Sequence, residues 1–149
     1  MQSSSVLYAL IAISAGIAVP ILASINAAYG QAIGNVTIAS LTLVCVASLT
    51  VLAVIILSGT PLPDVAIFRK AAWWHFTAGC FIAYYVLSIT FVAPRFGVGN
   101  AIIFVVVAQI FTAVTIDHFG LFGAAVQTLD WRRALGILFL MAGVALAKS

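Results

Sequence analysis

The chain has 149 residues, 65% hydrophobic and 6% charged, with a mean hydropathy of +1.29. So little charge cannot cover a water-exposed surface, so the composition specifies an integral membrane protein, and no hydrophilic stretch is long enough to fold as a soluble catalytic domain. The formal charge of +3 comes from cations at the ends of apolar segments, where topology and lipid headgroups account for them; this argues against nucleic acid as a partner.

Five apolar segments follow in order, at about residues 5–28, 35–57, 71–93, 99–116 and 131–147, each near the ~20 residues that cross a ~30 Å hydrocarbon core. They are separated by Tyr29-Gly30-Gln31 with Gly34, by Ser58 through Pro61 to Asp64, by Pro94-Arg95-Phe96-Gly97, and by Asp117 to Asp130, all rich in residues that end helices. The runs are continuous rather than alternating, which predicts helices and not barrel strands. The expected fold is therefore all-α, a single transmembrane domain of five helices over residues 1–149. The first segment lacks the basic start of a secretion signal and is read as a retained span.

Pro20 lies inside the first span, where it removes a backbone bond. It is either a tolerated kink or a source of polarity lining a cavity near Asn26. Asn35-Val36-Thr37 matches a glycosylation sequon only by chance at a span entrance. Cys45 and Cys80 fall mid-span, where free cysteine acts as a small hydrophobe, so neither a disulfide, a metal site nor a cofactor is expected.

In the third span Trp74, Thr77, Phe81, Tyr84 and Ser88 recur at spacings of three and four, which places them on one helix face. Core packing and an aromatic-lined pocket both fit that pattern. In the fourth span Gln109 is costly at bilayer depth unless it finds partners, and it reads equally as interhelical glue or as a substrate contact. Asn26 carries the same two readings. Asp117 and His118 end this span; they suit a proton-coupling pair, because histidine titrates near neutral pH, or an interfacial turn in which Asp117 meets a loop arginine. In the fifth span Gly136, Leu140, Gly143 and Ala147 share a face whose small residues allow close helix approach, which suits a dimer contact.

Lys and Arg in short loops set orientation. Arg69, Lys70, Arg132 and Arg133 fall on the side of the N-terminus, against Arg95 and Lys148 on the other, a bias that favours a cytoplasmic N-terminus but leaves insertion in both directions open. An odd number of spans also matters, because many secondary transporters combine two halves of inverted topology around a midplane site.

Several of these residues together resemble the YdcZ-type family of the drug/metabolite transporter (DMT) superfamily: Ser24-Ile25-Asn26-Ala27 after Pro20, Trp74 with Gly79 and Tyr84, Pro94-Arg95-Phe96-Gly97, Gln109, the run Ile116-Asp117-His118-Phe119-Gly120-Leu121-Phe122-Gly123, and Arg133 with Gly136 and Gly143. The Ile116 to Gly123 run is the most specific part. Two departures are Ala108, where a glycine commonly precedes the glutamine, and His75-Phe76-Thr77-Ala78 in place of a glycine-rich stretch. The resemblance implies a multi-pass protein of the bacterial inner membrane and a half-transporter for a small metabolite or drug-like molecule, paired antiparallel as a homodimer or with a homologous five-span chain. Cargo contacts would then be Asn26, Trp74, Tyr84 and Gln109. The competing class is a non-transporting accessory or assembly subunit; an enzyme is not expected, because an Asp-His pair alone lacks a nucleophile, a metal set or a second carboxylate.

Overall fold

The computed structural model describes residues 2–64, 66 and 71–148; Arg69 and Lys70, on which the orientation reading leans, lie outside them. Most of the described residues are helical, with no strand among them. The helices are α1 Gln2–Ala32, α2 Val36–Leu57, α3 Ala78–Phe96, α4 Val98–Phe119 and α5 Trp131–Lys148; short 3-10 turns, Trp73–Thr77 and Leu121–Gly123, precede α3 and follow α4. The chain divides into two compact units, residues 1–95 and 96–149.

Among the described residues four helical stretches are long and apolar enough to cross a membrane: Ser5–Ala32, Val36–Leu57, Trp73–Phe96 and Val98–Phe119. The fifth helix forms where the sequence predicts it, but it carries Arg132 and Arg133 in its first turn and Lys148 at its end. Its uncharged stretch, residues 134–147, rises only about 21 Å at ~1.5 Å per residue, less than the ~30 Å hydrocarbon core, so it stands apart from the other four.

Helix ends also differ in detail from the sequence reading. The segment from residue 71 begins with the 3-10 turn and becomes α-helical only at Ala78, while its far end runs through Pro94 to Phe96, because a proline in the last turn costs one backbone bond. Arg95 turns back over that turn; its Nη1 donates to the Phe91 carbonyl at 2.6 Å and its guanidinium lies 3.8 Å from the Phe91 ring centroid. The fourth helix reaches Phe119, so Asp117 and His118 sit in its last turn.

Three residues, Ile33, Gly34 and Asn35, join α1 to α2. Gly34 adopts a left-handed conformation, φ +68°, and the Asn35 and Gly34 amides donate to the Gly30 and Gln31 carbonyls, closing α1 with the paired bonds of a Schellman turn. The Asn35 side chain then accepts from the Ile38 amide at 3.0 Å and caps α2.

The first unit is held by small residues. On α1, Ala23, Asn26, Ala27 and Gly30 are buried at spacings of three, one and three; on α3, Val86, Ile89, Thr90 and Ala93 repeat that pattern, and Ala39 and Ser40 are the buried positions of α2. A Cβ on Gly30 would lie 3.3 Å from Thr90 Cγ2 and 3.5 Å from Ala39 Cβ, so all three helices converge at this glycine. Lipid tails are as apolar as leucine, so close backbone approach rather than hydrophobic contrast drives such packing. Most large apolar side chains point outward.

Candidate functional site

Asn26 and Thr90 form the polar centre of the first unit. Asn26 Nδ2 donates to Thr90 Oγ1 at 2.5 Å, and that hydroxyl donates to the Val86 carbonyl at 2.7 Å, so amide, hydroxyl and backbone form one chain of bonds. Asn26 is 4% exposed and Thr90 fully buried. An unpaired polar group here would cost about 1 to 3 kcal/mol, which the pairing avoids.

Around this centre lie three adjoining spaces. The largest, about 530 Å³, is bounded by α1, α2 and α3 through residues that include Leu22, Val44, Ser48, Ile82 and Tyr85. A second, about 230 Å³, shares Val44 and Val86 with it and has Ser40 in its wall; a third, about 270 Å³, touches Asn26 and Tyr29. Ser48 donates to the Val44 carbonyl within its own helix. The Tyr85 hydroxyl and the Ser40 hydroxyl are buried and have no hydrogen-bond partner among the described residues. No charged residue occurs in α1 or α2, and the single one in α3 is Arg95 at its end.

The residues singled out from the sequence are distributed as follows. Asn26 is in the polar centre and also borders a cavity. Tyr84 is 73% exposed, and it is the next residue, Tyr85, that lines the large cavity. Trp74 sits in the 3-10 turn, 38% exposed and stacked on His75 with ring centroids 3.8 Å apart. Gln109 is exposed on α4 in the second unit and makes no side-chain hydrogen bond among the described residues. Thr90, Tyr85 and Ser40 are additions from the structure. For Thr90 the signal in the sequence was the 86, 89, 90, 93 spacing, which lies beside the mixed aromatic face of the same span; no comparable spacing marks Tyr85 or Ser40.

In the second unit the connection between α4 and α5 is tied down by side chains. Gly120 ends α4 in a left-handed conformation, φ +61°. The Gln127 amide donates to the Asp117 carbonyl at 2.9 Å, and the Leu129 amide to His118 Nδ1 at 3.1 Å. Arg133 Nη2 donates to Gln127 Oε1 at 2.5 Å, and Nη1 lies 3.7 Å from the Asp117 carboxylate. Asp117 thus meets the loop-side arginine, the arrangement of an interfacial turn. Asp130 caps α5 by accepting from the Arg133 amide at 2.8 Å. A groove of about 280 Å³ between α4 and α5 runs from this ion pair past Gly136 to Leu140. Added Cβ atoms at Gly136 and Gly143 would meet nothing within 4 Å, so their side of α5 is open.

A family model described as "Putative inner membrane exporter, YdcZ" matches residues 7–146. No curated protein and no solved structure matches the chain. The family match runs from α1 into α5 and its description agrees with a chain of membrane-length apolar helices, so this multi-pass inner-membrane protein belongs to the YdcZ exporter family, as the run from Ile116 to Gly123 led one to expect.

Proposed function

We propose that this chain is one half of a DMT-type secondary transporter. Two five-span copies of opposite orientation, or one copy and an inverted homologous partner, enclose a central path and open it alternately to each side. The observation that carries this reading is the cavity of about 530 Å³ within a membrane-embedded unit, substrate-sized yet not enclosed by the chain itself. A second half completes its wall. Asn26, Trp74, Tyr84 and Gln109 contribute to the path, with Asn26 held in place by Thr90. Asp117 is the only acid within a membrane-length helix among the described residues and, with His118, is the pair that coupling would use. In this arrangement α5 is the fifth span, shortened by its terminal cations; the long stems of Arg132 and Arg133 reach the interface. The N-terminus faces the cytoplasm in one of the two orientations.

Flux in proteoliposomes tests this reading directly. A substrate-dependent flux that needs the paired chain supports the carrier. A reconstituted, folded chain that carries none of a broad metabolite and drug panel would instead indicate a non-transporting accessory subunit.

A further inference from the structure

The large cavity of the first unit combines two properties that bear on what it holds. Its walls come from helices without a formal charge, apart from Arg95 at the far end of α3, whose guanidinium is engaged with Phe91. Burying an ammonium or a carboxylate without a partner is far more costly than burying a neutral polar group. Such a wall therefore rejects ions of both signs. The same wall includes Tyr85, whose hydroxyl is closed off from water and has no hydrogen-bond partner among the described residues. A buried phenol usually finds a partner, because an unmade bond leaves its desolvation uncompensated.

We propose that this cavity binds a neutral, predominantly apolar molecule presenting one hydrogen-bond acceptor, and that the Tyr85 hydroxyl donates to it. Donation to a guest requires the Tyr85 side chain to rotate, because its hydroxyl is sealed off in the empty chain; Ser48, whose hydroxyl proton is committed to the Val44 carbonyl, offers the guest only an acceptor. As a statement about cargo this rests on the carrier reading; as a statement about binding it stands on the cavity alone.

The test uses four phenyl-bearing probes of different polarity, two with three rings and two with four: triphenylphosphine oxide, triphenylmethane, tetraphenylphosphonium and tetraphenylborate. Their binding to the purified full-length chain in detergent is measured by equilibrium dialysis, for the wild type and for Tyr85→Phe. The expected order is the neutral oxide first, triphenylmethane weaker and both ions weakest. Tyr85→Phe should weaken the oxide roughly 5- to 30-fold, about 1 to 2 kcal/mol, and leave triphenylmethane unchanged. The same substitution removes an unpaired hydroxyl, so the empty protein should melt no lower than the wild type, which separates lost binding from lost folding. Tetraphenylphosphonium or tetraphenylborate binding as tightly as the oxide overturns the proposal, and so does equal oxide affinity in Tyr85→Phe. Binding of the expected pattern with no flux in proteoliposomes leaves the site standing and removes the carrier; flux of the cation without preference for the oxide does the reverse.

Discussion

Asn26 and Thr90 lie 64 positions apart and meet side chain to side chain at 2.5 Å, buried between α1 and α3. The bond is worth having because neither group reaches water. Thr90→Val keeps the shape and strands the Asn26 amide, so it should destabilise the detergent-solubilised chain by about 1 to 3 kcal/mol. Asn26→Leu should cost less, since Thr90 keeps its bond to the Val86 carbonyl. The double substitution should cost clearly less than the sum of the two. A thermal or denaturant melt of all four proteins reads the coupling, and simple additivity would show that the pair does not act as a unit.

Gly30 sets how closely the three helices approach. Its missing Cβ would sit 3.3 Å from Thr90 Cγ2, tight enough that alanine needs a small shift and leucine has no room. Gly30→Leu should lower stability by about 1 to 3 kcal/mol, as overpacking does, and Gly30→Ala by less. Gly16→Leu on the same helix, where nothing lies within 4 Å, is the control and should leave the melt unchanged.

How far the sequence foretold this arrangement depends on the kind of signal. The helices were legible because long apolar runs are bounded by glycine, proline and asparagine, and Asn35 and Gly34 form the turn that such residues favour. Asn26 was legible as a polar group that needs a partner. The partner was not, since nothing local to Asn26 marks a residue on a helix two spans away. Nor could apolar periodicity choose the inward face of α3, because in lipid both the packed and the outer faces are apolar. Residue size decides there, which is why the buried set includes Val86, Thr90 and Ala93 while Phe81 and Tyr84 point outward. The Asp117 to Arg133 contact was anticipated as a pairing with a loop arginine; the contribution of Gln127 and the two loop amides depends on how residues 120–130 fold back, which spacing does not encode.

That folded-back loop should respond to Gly120. Its left-handed φ of +61° and the 2.7 Å separation between an added Cβ and Val126 Cγ2 both oppose any side chain. Gly120→Ala should therefore release the Gln127 and Leu129 amides, seen as faster hydrogen exchange across residues 121–130, with α1 to α3 unaffected. Arg133→Gln should produce a smaller change of the same kind, because it removes one contact to Gln127 and one to Asp117. Unchanged exchange in Gly120→Ala would mean that the loop is held elsewhere.

The open side of α5 separates internal packing from association. Gly136→Leu together with Gly143→Leu meets no atom of the chain within 4 Å of either new Cβ. Helical content and the melting temperature of the monomer should stay near wild type. If this face contacts a second chain, crosslinking between fifth helices and the dimer fraction in mild detergent should both fall, because the added bulk blocks close approach. Undiminished crosslinking would place the contact on another helix.

The central claim, that one chain is half of a carrier, is tested most directly by orientation and flux measured on the same protein. With Cys45 and Cys80 replaced by alanine, single cysteines at Gln31 and at Thr128, in the first and fourth connections and so on opposite sides of a five-span chain, are labelled from outside in intact cells with a membrane-impermeant maleimide. The same variants are then assayed for flux after reconstitution. The account predicts that each position labels in a fraction of the molecules, or that one orientation is fixed and flux requires an inverted partner chain. Uniform orientation with full flux from the purified chain alone, as a monomer or a parallel pair, would contradict it.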